Sequence, residues 1–403
     1  MADILFLAHR IPYPPNKGDK IRSWNLLRVL ARDHQVRLGC FIDDADDWAH
    51  VAVLRQLCAE CHFVPLGPRW AKLRALRGLA MGQALSLPYY SDRRMRQWVA
   101  AQGQSGGIDV AIGFSSVMGQ YLLDFPARRI MDFVDIDSDK WRQYAQTAGW
   151  PMRLVYGREA RRLLAFERTV ASAFDASLFV SAAEAAMFRR LAPAAAEKIQ
   201  ALENGVDTDF FDPGADFKRL TGADAPTVVF TGAMDYWANV DAVIWFAEAV
   251  WPRVREHHAQ ARFYIVGGKP TAAVKALDGR AGVVVTGRVD DVRPFIAAAG
   301  VAVAPMRIAR GVQNKVLEAM AMAKPVVTTP QGLEGLAAIP DRHLKLAANA
   351  EVFAQAVCGL LAQPSQAQAL GLAARAQILA RYGWSATLAP LSSMLTLWQD
   401  KHC

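Results

Sequence analysis

Short apolar runs alternate with longer amphipathic stretches along the whole chain. ILFLA (4–8), VRLGCFI (36–42), HFVPL (62–66), DVAIGF (109–114) and RIMDFVD (129–135) are largely continuous, the pattern of strands buried on both faces. Between them, IRSWNLLRVLAR (21–32) and REARRLLAFERTVASAF (158–174) repeat apolar residues at helical spacing. In ASLFVSAAEAAMFRRLA a strand gives way to a helix, with Ser181 as N-cap and Glu184 three residues on, the pattern of a capping box. A second series follows: TVVFTGAM (227–234), ARFYIVGG (261–268), GVVVTGRV (282–289), VAVAPM (301–306) and KPVVTTP (324–330). The turn-rich segment near 195–225 separates the two series, and residues 365–400 read as helices. This rhythm predicts an α/β protein of two doubly wound, parallel-sheet units. Ligands of such sheets sit beyond the carboxyl ends of the strands.

A length of 403 residues agrees with two domains. With 53% hydrophobic and 21% charged residues the chain is globular, not disordered. No apolar run approaches the roughly 18–20 residues that span a bilayer. The first residues lack a basic segment ahead of ILFLA, so the expected location is the cytoplasm, with a peripheral position on the inner face of the plasma membrane also open. The net charge of +8 is uneven: residues 1–200 hold 27 Lys and Arg against 20 Asp and Glu, residues 201–403 hold 19 against 18. The basic half suits an anionic partner or a merely solvated surface. No basic-aromatic module points to nucleic acid. Five cysteines, an odd number, argue against a disulfide framework. CAECH (58–62) has the spacing of a haem attachment site but is read as coincidence.

The most patterned stretch is RGVQNKVLEAMAMAKPVVTTPQGLEG (310–335). Gly311 to Asn314 follow a strand and open a helix, where free amides and the helix dipole favour a phosphate. Lys315 adds a positive charge in the first turn. Glu318 lies on the same face and can accept hydrogen bonds from the vicinal hydroxyls of a ribose. The same pair would also serve as a surface ion pair worth about 0.2–0.5 kcal/mol.

LEAMAMAKPVV followed by GLEG resembles the donor-site signature of glycosyltransferase family 4, roughly E-G-x-x-x-x-x-x-E-A-x-A-x-G-x-P-V. VSAAEAAMF, ENGVDTDFF, FTGAMDYWANVDAVIWF, FYIVGG and VTGRVDDVRPFIAAAGVAVAPM are similar to other pieces of that family, in its order. HRIPYPPNKGDKIRSWNLLRVLA (9–31), FVDIDSDKWRQYA (133–145) and RGVQNKVLEAMA (310–321) resemble the sugar transferases of PEP-CTERM/exosortase-associated exopolysaccharide clusters. The resemblance implies the GT-B fold, with an acceptor domain (1–200), a nucleotide-sugar donor domain (201–380) and a C-terminal helix (381–403) that packs back on the first. It implies a nucleotide-diphosphate sugar as donor, no metal or other cofactor, retention of anomeric configuration and a saccharide acceptor, lipid-linked. It places Gly232, Arg288, Arg310, Gly311, Val312, Asn314, Lys315 and Glu318 on the donor, and Gly18, Asp19, Lys20 and Arg22 on the acceptor side. Asp135 is the positional match for a polar residue near the reacting sugar, and Lys315 faces the departing diphosphate. The chain departs from the family at Arg310, where a Glu is usual, and in GAMDYWAN, which lacks the usual Arg and Lys.

Three weaker signals complete the reading. Asp135 and Asp137 form an Asp-x-Asp pattern that could hold a metal, or cap the helix that follows. GGKPT (267–271) fails the phosphate-loop pattern. PRWAKLRALRGLAMGQALSL (68–87) is a basic amphipathic segment suited to an anionic membrane, or simply a helix that caps the first domain. The expected activity is glycosyl transfer. A nucleotide-sugar 2-epimerase and a non-catalytic subunit of a polysaccharide-synthesis complex are the alternatives.

Overall fold

The computed structural model describes residues 1–15, 17–217, 225–308 and 312–399. The chain divides into two compact units, Met1–Asn204 with Leu388–Cys403, and Gly205–Thr387.

The first unit is built on seven strands: β1 (Asp3–Ala8), β2 (Gln35–Ile42), β3 (Glu60–Pro65), β4 (Val110–Phe114), β5 (Arg128–Val134), β6 (Ala176–Phe179) and β7 (Ile199–Ala201). They pair in the order β3-β2-β1-β4-β5-β6-β7, every pair parallel. The register sets Ile4 beside Val36 and Val110, so three apolar runs that neighbour one another in the sheet share one layer. Side chains from Ile4 to Ala8 are fully buried, as continuous runs covered on both faces require. The order reverses between β1 and β4, which creates a switch point at their carboxyl ends.

The second unit has β8 (Thr227–Thr231), β9 (Arg262–Val266), β10 (Val283–Gly287), β11 (Val301–Ala304), β12 (Val326–Thr328) and β13 (Lys345–Leu346). Their order is β10-β9-β8-β11-β12-β13, again all parallel, with a switch point between β8 and β11. Phe246, Trp251, Phe263 and Phe353 interlock between sheet and helices, with ring centres 4.6–6.2 Å apart.

The strands read from the sequence are all present. The short edge strands β7 and β13 were not anticipated. The helix expected over 158–174 starts earlier, as Met152–Ala173, immediately after Pro151. Ser181 caps its helix by accepting the Glu184 N–H at 3.1 Å, while Glu184 Oε2 accepts the Ile136 N–H from the neighbouring loop at 3.0 Å.

Candidate functional site

The loops at the switch point of the second sheet converge on Lys315. Gly232 follows β8, and a Cβ built on it would lie 2.7 Å from Asn239 Nδ2 and 3.5 Å from Lys315 Cε. Asn239 Nδ2 in turn donates to Ala233 O at 2.9 Å, which locks the loop onto the helix Trp237–Trp245. Gly267, after β9, packs its Cα so close to Gly232 O that no side chain fits there. Gly268 lies against Arg288, the exposed residue that follows β10. Gly232 and Gly267 therefore let the ends of β8 and β9 meet backbone to backbone.

The helix Asn314–Ala321 starts beyond β11, and no side chain caps its N-terminus. Lys315 Nζ donates to Gln313 Oε1 at 3.3 Å and lies 3.8 Å from Met306 Sδ and 5.3 Å from the Phe230 ring centre. Val316, Leu317, Ala319, Met320 and Ala321 are buried, which fixes the helix on the core. Lys315 and Glu318 are half-buried. They make no ion pair within 4.0 Å, and neither has another charged partner among the described residues.

Both charges are perturbed by this placement. Burial lowers the Lys315 ammonium to about 8, against the opposing pull of Glu318. Burial raises the Glu318 carboxyl to about 7, against the pull of Lys315. The surface-pair reading of these residues does not hold, because they are neither fully solvated nor in contact. Asn314 Oδ1 and Asn239 Oδ1 are buried without a hydrogen-bond partner among the described residues, and such groups favour a polar occupant.

Val312 is half-buried against the core. Arg310 and Gly311 lie outside the described residues. The loop that lacks the family's Arg and Lys presents two exposed aromatics, Tyr236 and Trp237, with ring centres 6.2 Å apart. Arg307, a cation not singled out from the sequence, follows β11 and pairs through its Nε with Asp241 Oδ2 at 2.9 Å.

The first unit holds the remaining expected residues. Gly18 opens the helix Gly18–Asp33, with space around its Cα. Lys20 and Arg22, expected to reach the acceptor, instead turn into the domain. Both are buried; Lys20 pairs with Asp47 at 2.7 Å and Arg22 Nε with Asp132 at 2.9 Å. Their charges are neutralised inside the domain. Arg22 Nη1 also donates to Asn204 at 2.9 Å, tying the first helix to the end of the unit.

Asp19 belongs to a network at the carboxyl end of β1. It meets His9 Nε2 at 3.3 Å and Arg10 Nη1 at 2.7 Å, and Arg10 also holds Asp43 at 3.0 Å. Burial alone would raise the Asp19 carboxyl. The hydrogen bond and charge of His9, together with Arg10, outweigh it and hold the group well below the usual range. The His9 ring stacks on Phe114 at the end of β4, 6.0 Å away, so this network occupies the first sheet's switch point. The polar pair His-Arg directly after a buried strand was the available signal.

Asp135 and Asp137 are both bridged by Lys140, at 2.8 and 3.3 Å. Asp137 also accepts from Ser116 Oγ at 3.0 Å. Behind them the buried Glu167 accepts the Ser138 N–H at 3.1 Å. Burial, then the Asp137 charge, raises its carboxyl to about 8. The CAECH cysteines are free thiols, and His62 stacks on Trp98 at 5.1 Å.

Residues 225–363 match the family model described as "Glycosyl transferases group 1". A comparison with curated proteins gives no match. Among solved structures the chain is similar to HepE of Anabaena in complex with UDP, at 15% identity and a TM-score of 0.67, over 98% of this chain and 100% of that one. It is similar to sucrose-phosphate synthase of Thermosynechococcus elongatus, at 17% identity and a TM-score of 0.68, over 100% of both chains. It is also similar to WaaG, a glycosyltransferase involved in lipopolysaccharide biosynthesis, at 18% identity and a TM-score of 0.64, over 96% of this chain and 98% of that one. The second unit thus carries a group 1 glycosyltransferase domain, and the two Rossmann-like sheets are those of the GT-B fold.

Proposed function

We propose that this transferase moves a sugar from a nucleotide-diphosphate donor, bound at the switch point of the second sheet, to a saccharide acceptor. One observation carries the reading: Lys315 and Glu318 are half-buried one helical turn apart, unpaired, beside an uncapped helix N-terminus. Two desolvated charges that do not neutralise each other are costly in a folded protein. A ligand with a diphosphate at one end and vicinal hydroxyls beyond it offsets both.

In this reading the amides at Asn314 and Lys315 and the Lys315 ammonium meet the diphosphate. Negative charge grows on the diphosphate as the glycosidic bond breaks, so Lys315 acts most strongly in the transition state. Glu318 accepts from the ribose hydroxyls. The glycine contacts at 232 and 267 keep the loop backbone low enough for the ligand to lie across it. Arg288, exposed beyond β10, extends the positive rim. HepE has been crystallised with UDP and with UDP-glucose, which makes UDP-sugars the first donors to try here.

The finer assignments rest on the sequence resemblance. They are retention of configuration without a metal, Asp135 as the polar group near the reacting sugar, and a lipid-linked acceptor in exopolysaccharide synthesis. The test is incubation with UDP-, GDP- and ADP-sugars and a lipid-linked saccharide, followed by product analysis. Extension of the acceptor by one sugar supports the proposal. A donor epimerised at C2, with no transfer, would replace it with the epimerase reading.

A further inference from the structure

The helix Pro68–Ala80 buries little of its apolar surface. Ala71 and Gly78, seven residues apart, face inward. The opposite half presents Trp70, 73% exposed, with Leu73, Leu76 and Leu79, and Met81 follows. Apolar side chains clustered on one face of a surface helix mark an interaction site rather than scattered exposure.

A second exposed group lies where the helix Met152–Ala173 begins: Trp150 at 83%, Met152, and Leu154 at 64%. The two segments are clasped together. Arg158 donates to Gln83 O at 2.9 Å and to Gly78 O at 3.0 Å. Glu159 accepts from Ser86 N at 2.9 Å and Ser86 Oγ at 2.7 Å. Both apolar groups therefore lie on segments of the first unit that hydrogen bonds join. The charge of these segments has a single sign: residues 68–91 and 148–158 contain no Asp or Glu. Arg69, Lys72, Arg77 and Arg153 make no ion pair among the described residues.

From this combination we infer that the surface is a docking face for an anionic phospholipid bilayer, with Trp70, Leu73, Trp150 and Leu154 entering the interface and the cations meeting the head groups. Trp favours the boundary between head groups and hydrocarbon. Amphipathic helices with basic residues lie in that plane. An acid-free, basic surround excludes basic protein partners and fits a negative surface. The inference extends the expectation for 68–87 to a second element and is independent of the donor site.

The test is co-sedimentation of the full chain with phosphatidylcholine vesicles, with and without phosphatidylglycerol, at low and high salt. The wild type should sediment with the anionic vesicles alone, release as salt rises, and shift its tryptophan emission to the blue. Arg69→Gln/Lys72→Gln/Arg77→Gln should weaken partitioning about 100-fold, each cation near such a surface being worth about a factor of five. Trp70→Ser/Leu73→Ser and Trp150→Ser/Leu154→Ser should each reduce binding without lowering the melting temperature, since these side chains are exposed. Three results overturn the inference: no sedimentation with anionic vesicles, unchanged sedimentation of the 150/154 variant, or a dimer that Trp70→Ser/Leu73→Ser turns into monomer. UDP-sugar titration in solution tests the donor site separately, so either idea can fail alone.

Discussion

Replacing Glu318 by Gln should move stability and nucleotide-sugar binding in opposite directions. The Glu318 carboxyl is raised to about 7 by burial, whereas an unfolded glutamate titrates near its ordinary value of about 4.3. Between these values the folded chain holds the extra proton. The wild type is therefore relatively stabilised as pH falls from 7 toward 4.5, and carries the full cost of a desolvated carboxylate above 7. One pK unit corresponds to about 1.4 kcal/mol, which sets an upper limit of about 4 kcal/mol. Partial exposure of the side chain screens this to on the order of 1–2 kcal/mol. Loss of the favourable pull on Lys315 subtracts a little more. At pH 8 Glu318→Gln should thus melt a few degrees higher than the wild type. It should also lose the charge-assisted bond proposed to the ribose; such a bond is worth roughly 1.5–3 kcal/mol, so affinity should fall about 10- to 150-fold. Melting curves across pH 5–9 and calorimetric titrations with UDP-glucose read both quantities. A variant that melts lower at pH 8 yet binds UDP-sugar like the wild type would show that Glu318 is structural, and the site would be wrongly assigned.

Lys315 titrates at about 8 in the free protein, so binding a diphosphate should draw a proton onto it. UDP-sugar affinity should then fall about tenfold per pH unit above 8, and Lys315→Met, read by the same titration, should remove that slope and lower single-turnover rates more than binding. Glu167 titrates at about 8 because of burial and the Asp137 charge. The wild-type melting temperature should therefore fall as pH rises from about 4.5 to 8, and Glu167→Gln should flatten that part of the profile. Since Lys140 already holds Asp135 and Asp137, turnover should survive EDTA; activity lost to EDTA and restored by Mn²⁺ would move the donor site to that pair.

The fold was legible because its strands are long apolar runs whose punctuation is strong. The runs 4–8, 109–114 and 227–231 have no other plausible reading once helices separate them. The strands that escaped notice, β7 and β13, are three and two residues long. At that length there is no pattern, only a partner strand. The Lys315 region was legible because its chemistry is local, with loop, helix start, cation and carboxylate contained in nine residues. Lys20 and Arg22 were misread for the converse reason. Their partners, Asp47 and Asp132, lie 27 and 110 residues away, and helical spacing cannot reveal them. Asp132 was itself a clue, an acid inside the buried run RIMDFVD that needs a cation. The His9–Arg10–Asp19–Asp43 network likewise joins residues from three segments that meet only when β1 and β2 pair.

Binding of nucleotide sugars to the wild type, Lys315→Met and Glu318→Gln decides whether the donor sits at this helix start. Thermal unfolding with UDP-, GDP- and ADP-sugars suffices, because a ligand at about 100 times its dissociation constant stabilises by about 2.7 kcal/mol. At least one of these sugars should raise the wild-type melting temperature, and the same concentration should shift each variant far less. A sugar nucleotide that stabilises all three proteins equally would place the donor elsewhere.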